Sequence, residues 1–278
     1  MLQPIVCRYE HFLSDWYRRQ CGVLGLPQGV IEKSPASYRK IWEWAAILQV
    51  LSEREMLRAG RAGLGFAVGT EALPSIFANC GAKITASDLD IEASDPMWSE
   101  TGQHATSLEA LFHPEKVGVD DFNRLVRFQT ADMNDIGDFS SEEYDFLWSN
   151  CSMEHLGTLE LGTEFVKKAM RLLKPGGVAV HTTEFNCASN TSTAFEGTSV
   201  IYRRCDLKRL ASDLTGLGHS IGRFDFDIGS HPFDWDYDSE PFLTGNGTHI
   251  KLLIEGHVST SCLIIVEKAL GNTIAYDE

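Results

Sequence analysis

The sequence has little positive charge and no long apolar run. Its 278 residues include 24 Lys and Arg against 39 Asp and Glu, so the formal net charge is −15 and the pI is about 5.0. A surface that binds long nucleic acid needs a basic stripe, and the basic clusters here are pairs such as Lys167-Lys168 and Arg203-Arg204. We therefore expect no nucleic-acid partner. No apolar segment approaches the length of a bilayer span, so we expect no membrane span.

Paired cysteines and targeting signals are also missing. The seven cysteines are an odd number without a Cys-x-x-Cys pair, which is typical of reduced thiols in a cytoplasmic protein. The start of the chain, MLQPIVCRYEHF, lacks a basic segment followed by an apolar stretch, so we expect no secretory signal. Hydrophobic content of 43% is ordinary for a globular protein, and the length suits one sizeable domain with an appendage.

The most informative segment runs from Arg61 to Asp88 and reads RAGLGFAVGTEALPSIFANCGAKITASD. Gly63, Gly65 and Gly69 predict a sharp turn after a first strand, where the backbone can approach a ligand without a Cβ in the way. An apolar helical stretch and a short strand follow. Asp88 ends that strand at a spacing typical of a carboxylate that binds a ribose diol. This order predicts a pocket for a nucleoside-bearing cofactor.

The following elements alternate between strand and helix. Strands are predicted over 127–131, over 144–149 (YDFLWS) and over 178–183. An amphipathic helix over 166–173 should end at the KPGG turn over 174–177, because proline stops a helix and glycine takes the left-handed cap.

These motifs, in this order, resemble a class I S-adenosylmethionine (SAM) dependent methyltransferase of the small-molecule O-methyltransferase type. The matching segments between Gly60 and Glu184 are GLGFAVG, ASD, the Asp of QTAD, YDFLWSNCSMEHLG and RLLKPGGVAVHTTE. The resemblance implies an α/β fold with a Rossmann-like, doubly wound, mostly parallel sheet that ends in an antiparallel hairpin. It also implies an N-terminal helical cap over 1–58 and a SAM-binding domain over 59–270, with an acceptor-side insertion near 186–247.

The resemblance further implies SAM as the cofactor. The glycine loop would cradle its methionine end, and carboxylates after the second and third strands would contact ribose and adenine. The implied cofactor-binding residues are Gly63, Gly65, Gly69, Asp88, Leu89, Asp132, Met133 and Asn150.

One position departs from the family pattern. An Asp or Glu usually stands two residues before the first glycine, where it helps to hold the ammonium group of the cofactor, but this chain has Arg61. Three explanations stay open: another acid substitutes, with Glu71 the nearest; Arg61 pairs with the methionine carboxylate; or cofactor binding has been lost.

Methyl transfer to an oxygen needs a positioned acceptor and a base within reach of its proton. His155 and Glu154 follow the fourth predicted strand and are the candidate catalytic residues, because imidazole titrates near neutral pH and a carboxylate could orient it. The alternative is that they only hold the loop. The candidate substrate-binding residues are Tyr38, Arg39, Trp98 and Gln103.

Some relatives bind a divalent ion through a Glu-x-x-Glu-His arrangement. Here Cys151 stands where the first Glu would be, and a thiol suits magnesium poorly. Glu154, His155, His181 and Glu184 could still supply ligands, but the motif is incomplete, so we expect no metal.

The acceptor is predicted only from the aromatic and acidic loop over 234–237 (DWDY). Carboxylates accept hydrogen bonds from hydroxyls and aromatic faces cover sugar rings, which favours methylation of a hydroxyl on a small polar acceptor such as a sugar or glycan precursor of polysaccharide biosynthesis. The alternatives are a non-catalytic methyltransferase-like binding module and a metal-assisted O-methyltransferase of another small molecule. A nicotinamide oxidoreductase is disfavoured by the GxGxxxG spacing and an RNA methyltransferase by the charge. A homo-oligomer stays open.

Overall fold

An eight-stranded mixed sheet organises the chain. The computed structural model describes residues 1–26, 38–90, 103–242 and 248–271. The helices in these ranges are α1 Tyr9–Phe12, α2 Asp15–Val23, α3 Arg39–Glu53, α4 Leu73–Asn79, α5 Val119–Leu125, α6 Leu159–Ala169 and α7 Arg204–Gly216. The strands are β1 Ala62–Phe66, β2 Lys83–Asp88, β3 Val126–Thr130, β4 Tyr144–Asn150, β5 Leu173–Asn186, β6 Ser220–Ile221, β7 Leu252–Ile254 and β8 His257–Glu267.

The strand order is β3-β2-β1-β4-β5-β8-β6, with β7 paired to β8. Strands β1 to β5 pair in parallel, whereas β8 is antiparallel to β5, β6 and β7. The predicted doubly wound, mostly parallel sheet that ends in an antiparallel hairpin is therefore confirmed. The chain runs outward from β1 to β3 and then returns to the other side of β1 with β4. Ligands of such sheets bind beyond the carboxyl ends of the strands at this switch point.

Two apolar clusters cover the two faces of the sheet. Helix α3 contributes Trp42, Ala45, Ile47 and Leu48 to one cluster, all of them almost completely buried. The apolar side chains of α6 and α7 pack in the other cluster. No helix in the described ranges is long and apolar enough to cross a membrane. The proposed boundary between a cap and a SAM-binding domain at residue 58 stays a prediction.

The glycine cluster lies differently from the prediction. Gly63 and Gly65 are inside β1 and not in a loop after it. A Cβ on Gly63 would fall within the Phe146 ring, and one on Gly65 would fall against the Trp148 indole, both from β4. These two glycines therefore make room for aromatic side chains. Gly69, at φ +55°, is the residue that takes the left-handed turn.

The KPGG segment was predicted as a turn between helix and strand. In the structure α6 ends at Ala169, a single 3-10 turn over Met170–Leu172 follows, and β5 already begins at Leu173. The register of β4 against β5 shifts between Tyr144 and Phe146, so the KPGG residues form an irregularity within the strand pair. Two backbone hydrogen bonds hold the KPGG segment in the sheet. The Gly176 N–H donates to the Lys268 carbonyl, and the Lys268 N–H donates to the Gly177 carbonyl, just after the end of β8.

Substitution of Gly63 by alanine tests the packing role of this glycine. We expect Gly63→Ala to lower the free energy of unfolding by about 1–3 kcal/mol, because the added methyl group must displace the Phe146 ring in a packed core. Urea denaturation followed by circular dichroism measures the change. Gly216→Ala, at the end of α7 with open space around its Cβ, is the control and should change stability by less than about 1 kcal/mol. Equal stability of the two variants would contradict the assignment.

Candidate functional site

Charged side chains are buried together where β4 and β5 end beneath the first turns of α3. Burial of so many ionisable groups is rare unless they pair with one another. The group comprises Arg39, Lys40, Glu43, Glu71, Glu154 and Glu184. Because the switch point between β1 and β4 lies beside it, this cluster marks the candidate active site.

Arg39 and Glu184 form a buried, two-pronged ion pair. The Arg39 Nη1 donates to Glu184 Oε2 at 2.7 Å, and its Nη2 donates to Oε1. The Ser259 hydroxyl donates to the same Oε2 at 2.7 Å. Burial alone would raise the pKa of Glu184, but the Arg39 charge holds that pKa below its ordinary value. The pair ties the start of α3 to β5, and Ser259 adds β8.

A second pair stands next to it. Lys40 Nζ lies 3.1 Å from Glu43 Oε2, and Glu43 Oε1 accepts hydrogen bonds from the Ser261 hydroxyl and, at 3.1 Å, from the Cys151 thiol. Burial would lower the pKa of Lys40, but the nearby Glu43, Cys151 and Glu71 raise it above its ordinary value overall. Burial and the Glu43 charge raise the pKa of Cys151 well above its ordinary value, so Cys151 is a thiol at neutral pH.

Glu154 and His155 share a single 3-10 turn over Met153–His155. Glu154 is 1% exposed; its Oε2 accepts from the Thr183 hydroxyl at 3.0 Å, and its Oε1 has no hydrogen-bond partner among the described residues. Burial, and then the neighbouring Glu184 charge, raise the pKa of Glu154 to about 8. Glu154 therefore carries a proton at neutral pH.

The His155 ring is oriented by a backbone carbonyl. Its Nδ1 lies 2.6 Å from the Thr198 carbonyl oxygen. A carbonyl only accepts, so Nδ1 carries the proton and Nε2 of the neutral ring is the basic atom. Burial lowers the pKa of His155, which keeps the ring neutral. Thr198, and not Glu154 as the sequence suggested, orients the imidazole.

The side chains of Cys151, Glu154 and Glu184 offer metal-ligand atoms within 4.8 Å of one another. However, Arg39 and Ser259 already bond both oxygens of Glu184, and Cys151 holds its proton. The Arg39 guanidinium supplies the positive charge that a cation would bring. This donor set suits a divalent ion poorly, and the expectation of no metal stays a prediction.

Asp88 is the last residue of β2, next to β1 at the carboxyl ends of the strands. It is 6% exposed, and its carboxylate accepts backbone N–H groups from Leu89 at 2.9 Å, Gly69 at 3.0 Å and Ala105 at 3.1 Å. The Gln103 carbonyl lies where a Cβ on Gly69 would stand, so only glycine fits there. A bound ribose would share this carboxylate with the glycine loop.

Asn150 and Glu71 meet between the ends of β1 and β4. Asn150 Nδ2 donates to Glu71 Oε1 at 2.6 Å, and its Oδ1 accepts from the Thr182 hydroxyl at 2.8 Å. Glu71 Oε2 and Trp44 Nε1 are buried close to each other. Burial raises the pKa of Glu71 to about 7, and the Lys40 charge and hydrogen bonds from Trp44 and Asn150 lower it in part.

The other predicted cofactor residues lie at the same edge of the sheet. Asp132 is exposed after β3, and its Oδ1 accepts the backbone N–H of Asn134 at 2.8 Å. Met133 is buried in the apolar cluster that also contains Phe139. The assigned contact of Asp132 and Met133 with adenine stays a prediction.

Arg61 lies at the opposite end of the sheet. Its Nη1 donates to Asp145 Oδ1 at 2.8 Å, and Lys174 Nζ donates to Asp145 Oδ2 at 2.7 Å. Arg61 precedes β1 and Asp145 stands near the start of β4, so both mark the amino ends of these parallel strands. The hypothesis that Arg61 pairs with the methionine carboxylate is wrong, because its partner is Asp145.

The predicted substrate-binding residues lie in different surroundings. Tyr38 precedes α3, and its ring lies 5.1 Å from that of His249. Arg39 is engaged by Glu184 in a buried ion pair, and its assignment to substrate binding stays a prediction. Gln103 is exposed beside Gly69, and Trp98 lies outside the described residues. Lys40, another polar residue that the sequence places at the start of this helix, pairs with Glu43. Sequence reasoning missed Glu43, although a charged pair at i and i+3 within an apolar helix was a usable signal.

Comparison with known proteins agrees with this geometry. Residues 64–181, less than half of the chain, match the family model described as a methyltransferase domain. No curated protein sequence matches the chain. Among solved structures, a candidate sarcosine dimethylglycine methyltransferase from Galdieria sulphuraria is 13% identical, with 84% of this chain and 85% of that chain covered at a TM-score of 0.51. The [4+2]-cyclase SpnF is 15% identical, with 83% of each chain covered at a TM-score of 0.50.

The match over residues 64–181 and the shared fold indicate a methyltransferase domain that uses SAM as its cofactor. The residues at the switch point fit this group: Asp88 stands at the expected strand end, and a Cβ at Gly69 would meet the Gln103 carbonyl, so the backbone turns there without a side chain. A cyclase shares the fold, so the fold alone does not decide the reaction or the acceptor.

Removal of one partner tests the buried ion pair. We expect Arg39→Met to lower the free energy of unfolding by about 3–5 kcal/mol, because Glu184 is left as an uncompensated buried charge. The double variant Arg39→Met/Glu184→Gln should recover part of this loss. Arg124→Met, which breaks an exposed pair with Asp121, should cost less than about 1 kcal/mol. Equal losses for Arg39→Met and Arg124→Met in urea denaturation would contradict the role of the pair.

Proposed function

We propose that this chain transfers the methyl group of SAM to a hydroxyl of a small polar acceptor, with a sugar or glycan precursor as the favoured class. The observation that carries the choice of oxygen is the neutral His155 ring, whose Nδ1 is committed to the Thr198 carbonyl so that Nε2 is basic. An alcohol needs such a base, since it must lose its proton as the new bond forms.

Different residues of the site bind the cofactor, accept the proton and orient the acceptor. Bound SAM supplies an activated methyl group. Asp88 and Gly69 hold its nucleoside end, and His155 Nε2 accepts the hydroxyl proton of the acceptor. Glu154, protonated because burial raises its pKa, donates a hydrogen bond from Oε1 to a second oxygen of the acceptor, while its Oε2 accepts from Thr183. Helix α3 covers the site and keeps water away from it.

An exposed aromatic pair supports the sugar class. Trp235 and Tyr237 are 70% and 49% exposed, and Asp236 stands between them. Their loop is joined to the active-site helix, because Asp238 bonds His249 at 2.8 Å and His249 contacts Tyr38 just before α3. Aromatic faces next to carboxylates suit a ligand with several hydroxyls.

Cofactor binding is the first test. We expect isothermal titration with S-adenosylhomocysteine, the demethylated product, to show micromolar affinity, weakened at least tenfold by Asp88→Asn because one carboxylate acceptor for the ribose is lost. Transfer of labelled methyl from SAM to a panel of sugars, other alcohols and amines then tests the acceptor. No binding to the folded wild-type protein would overturn the enzymatic proposal, and transfer to amines alone would overturn the hydroxyl assignment.

The titration of His155 gives a pH dependence. Its pKa lies below the ordinary imidazole value of about 6.5 because the ring is buried, so the base stays neutral, and the rate stays high, to a correspondingly lower pH. NMR titration of the histidine signals, assigned with His155→Gln, measures this pKa without an acceptor. With an acceptor in hand, His155→Gln should reduce kcat by about 10²–10⁴ while leaving cofactor affinity unchanged. An unchanged kcat would exclude His155 as the base.

A further inference from the structure

A groove of about 960 Å³ lies between helix α7 and the segment over 221–228. Its lining includes none of the residues assigned to the cofactor or to the reaction. Helix α7 supplies one stripe of its wall, since residues spaced three or four apart share a face of a helix. These residues are Arg204, Lys208, Ala211, Ser212 and Thr215. The groove has the size and the concave form of a small-molecule site.

Three exposed cations line this groove. Arg204 and Lys208 stand one turn apart on α7, and Arg223 lies on the segment over 221–228. None of the three forms an ion pair with another residue in the described part of the chain. Like charges at this helical spacing repel each other, so the arrangement costs stability. An anion bound by these side chains would turn that repulsion into attraction.

The carboxylates of this region are bound by other arginines. Asp206 on α7 pairs with Arg203, whose Nε lies 2.8 Å from Asp206 Oδ2. Asp225 and Asp227 also line the groove, and Arg8 Nη1 lies 2.7 Å from the carboxylate of the first and 3.9 Å from that of the second. These carboxylates are therefore already matched by a charge outside the set of three cations.

Phenylalanine rings hold the Arg204 guanidinium in place. Its Cζ lies 5.2 Å from the centroid of the Phe226 ring, and that ring stacks with Phe224 at 5.2 Å and with Phe185 at 5.5 Å between centroids. A guanidinium over an aromatic face is attracted to it, and the N–H groups in its plane stay available for an acceptor. Arg204 is thus ordered by the rings before any anion binds.

We infer that this groove binds a small organic phosphate, with the phosphate group on Arg204 and Lys208 and the organic part on the apolar lining. A phosphate monoester carries close to two negative charges at neutral pH and presents three acceptor oxygens, so it matches both cations, whereas a carboxylate offers a single charge. Arginine binds phosphate through parallel N–H donors. Phe224, Phe226 and Ile228 supply the apolar lining. The groove is a second ligand site, and its occupation does not require SAM.

Phenyl phosphate is the probe, because it joins a phosphate monoester to a single apolar ring. Isothermal titration into wild-type protein is done at constant ionic strength, which fixes the screening of exposed charges. We expect phenyl phosphate to bind about tenfold or more tighter than inorganic phosphate, because the ring buries apolar surface. Benzyl alcohol, which has the ring without the charge, should also bind about tenfold or more weakly than phenyl phosphate. Equal affinity of phenyl phosphate and either compound would overturn the assignment to an organic phosphate.

Two variants of α7 locate the site. Arg204→Gln and Lys208→Gln should each weaken phenyl phosphate by about fivefold or more, because each removes a charge-assisted contact to the phosphate. Arg209→Gln is the matched control, since Arg209 is an exposed arginine of the same helix outside the groove lining. It should change the affinity by less than about twofold. Asp88→Asn should leave the affinity unchanged, because the cofactor pocket is a different site.

Melting curves verify that each variant is folded. Failure of folded wild-type protein to bind phenyl phosphate overturns the inference, and so does an equal loss of affinity in Arg204→Gln and Arg209→Gln. Weaker binding by Asp88→Asn also overturns it, because the probe would then occupy the cofactor pocket.

Discussion

The buried ion pair between Arg39 and Glu184 is the interaction on which the site depends. It brings the first turn of α3 onto the carboxyl ends of the strands, while the apolar remainder of the helix covers the sheet. Lys40 and Glu43 follow in the same turn, so their charges enter the site with it. A buried charge is tolerated only with its partner. The contacts that stabilise the helix and those that define the site are therefore largely the same contacts.

This arrangement also separates the protonation states of the carboxyl groups. Glu184 stays ionised because Arg39 is bonded to it, whereas Glu154, which forms no ion pair with another described residue, is protonated at neutral pH. One carboxyl group can then anchor the helix while the other can donate a hydrogen bond. The difference arises from the position of a single guanidinium group, since both carboxyl groups are buried to a similar extent.

The fold was predictable because its signals are local. Apolar strands, a strand ending in Asp88 and the order of the motifs are properties of short segments, and each corresponds to an element of the sheet. The roles of Gly63 and Gly65 were not predictable, because the rings that require them belong to Phe146 and Trp148 on another strand. A glycine needed for a turn and a glycine needed for packing look alike in sequence.

The same distinction between local signals and contacts with distant segments applies to the site. Asp88, Asn150, Glu154 and His155 lie where the sequence predicts them, at a strand end or just after it, because position in the motif predicts position in space. The engagement of Arg39 by Glu184, and of His155 by Thr198, depends on pairings between distant segments, so residue type alone suggested acceptor binding for the first and orientation by Glu154 for the second.

Arg61 shows how a departure from a family pattern can leave the chemistry of a pocket intact. Its charge is matched by Asp145 at the amino ends of β1 and β4, where Lys174 also contacts this carboxylate. A carboxyl group at the carboxyl ends of the same two strands comes instead from Glu71, two residues after the glycine turn, where burial raises its pKa to about 7. Because an electrostatic contact depends on where the charge lies and not on its place in the sequence, a carboxylate on either side of the turn can face a ligand in the cleft. The loss of the usual acid is therefore no argument for the loss of cofactor binding.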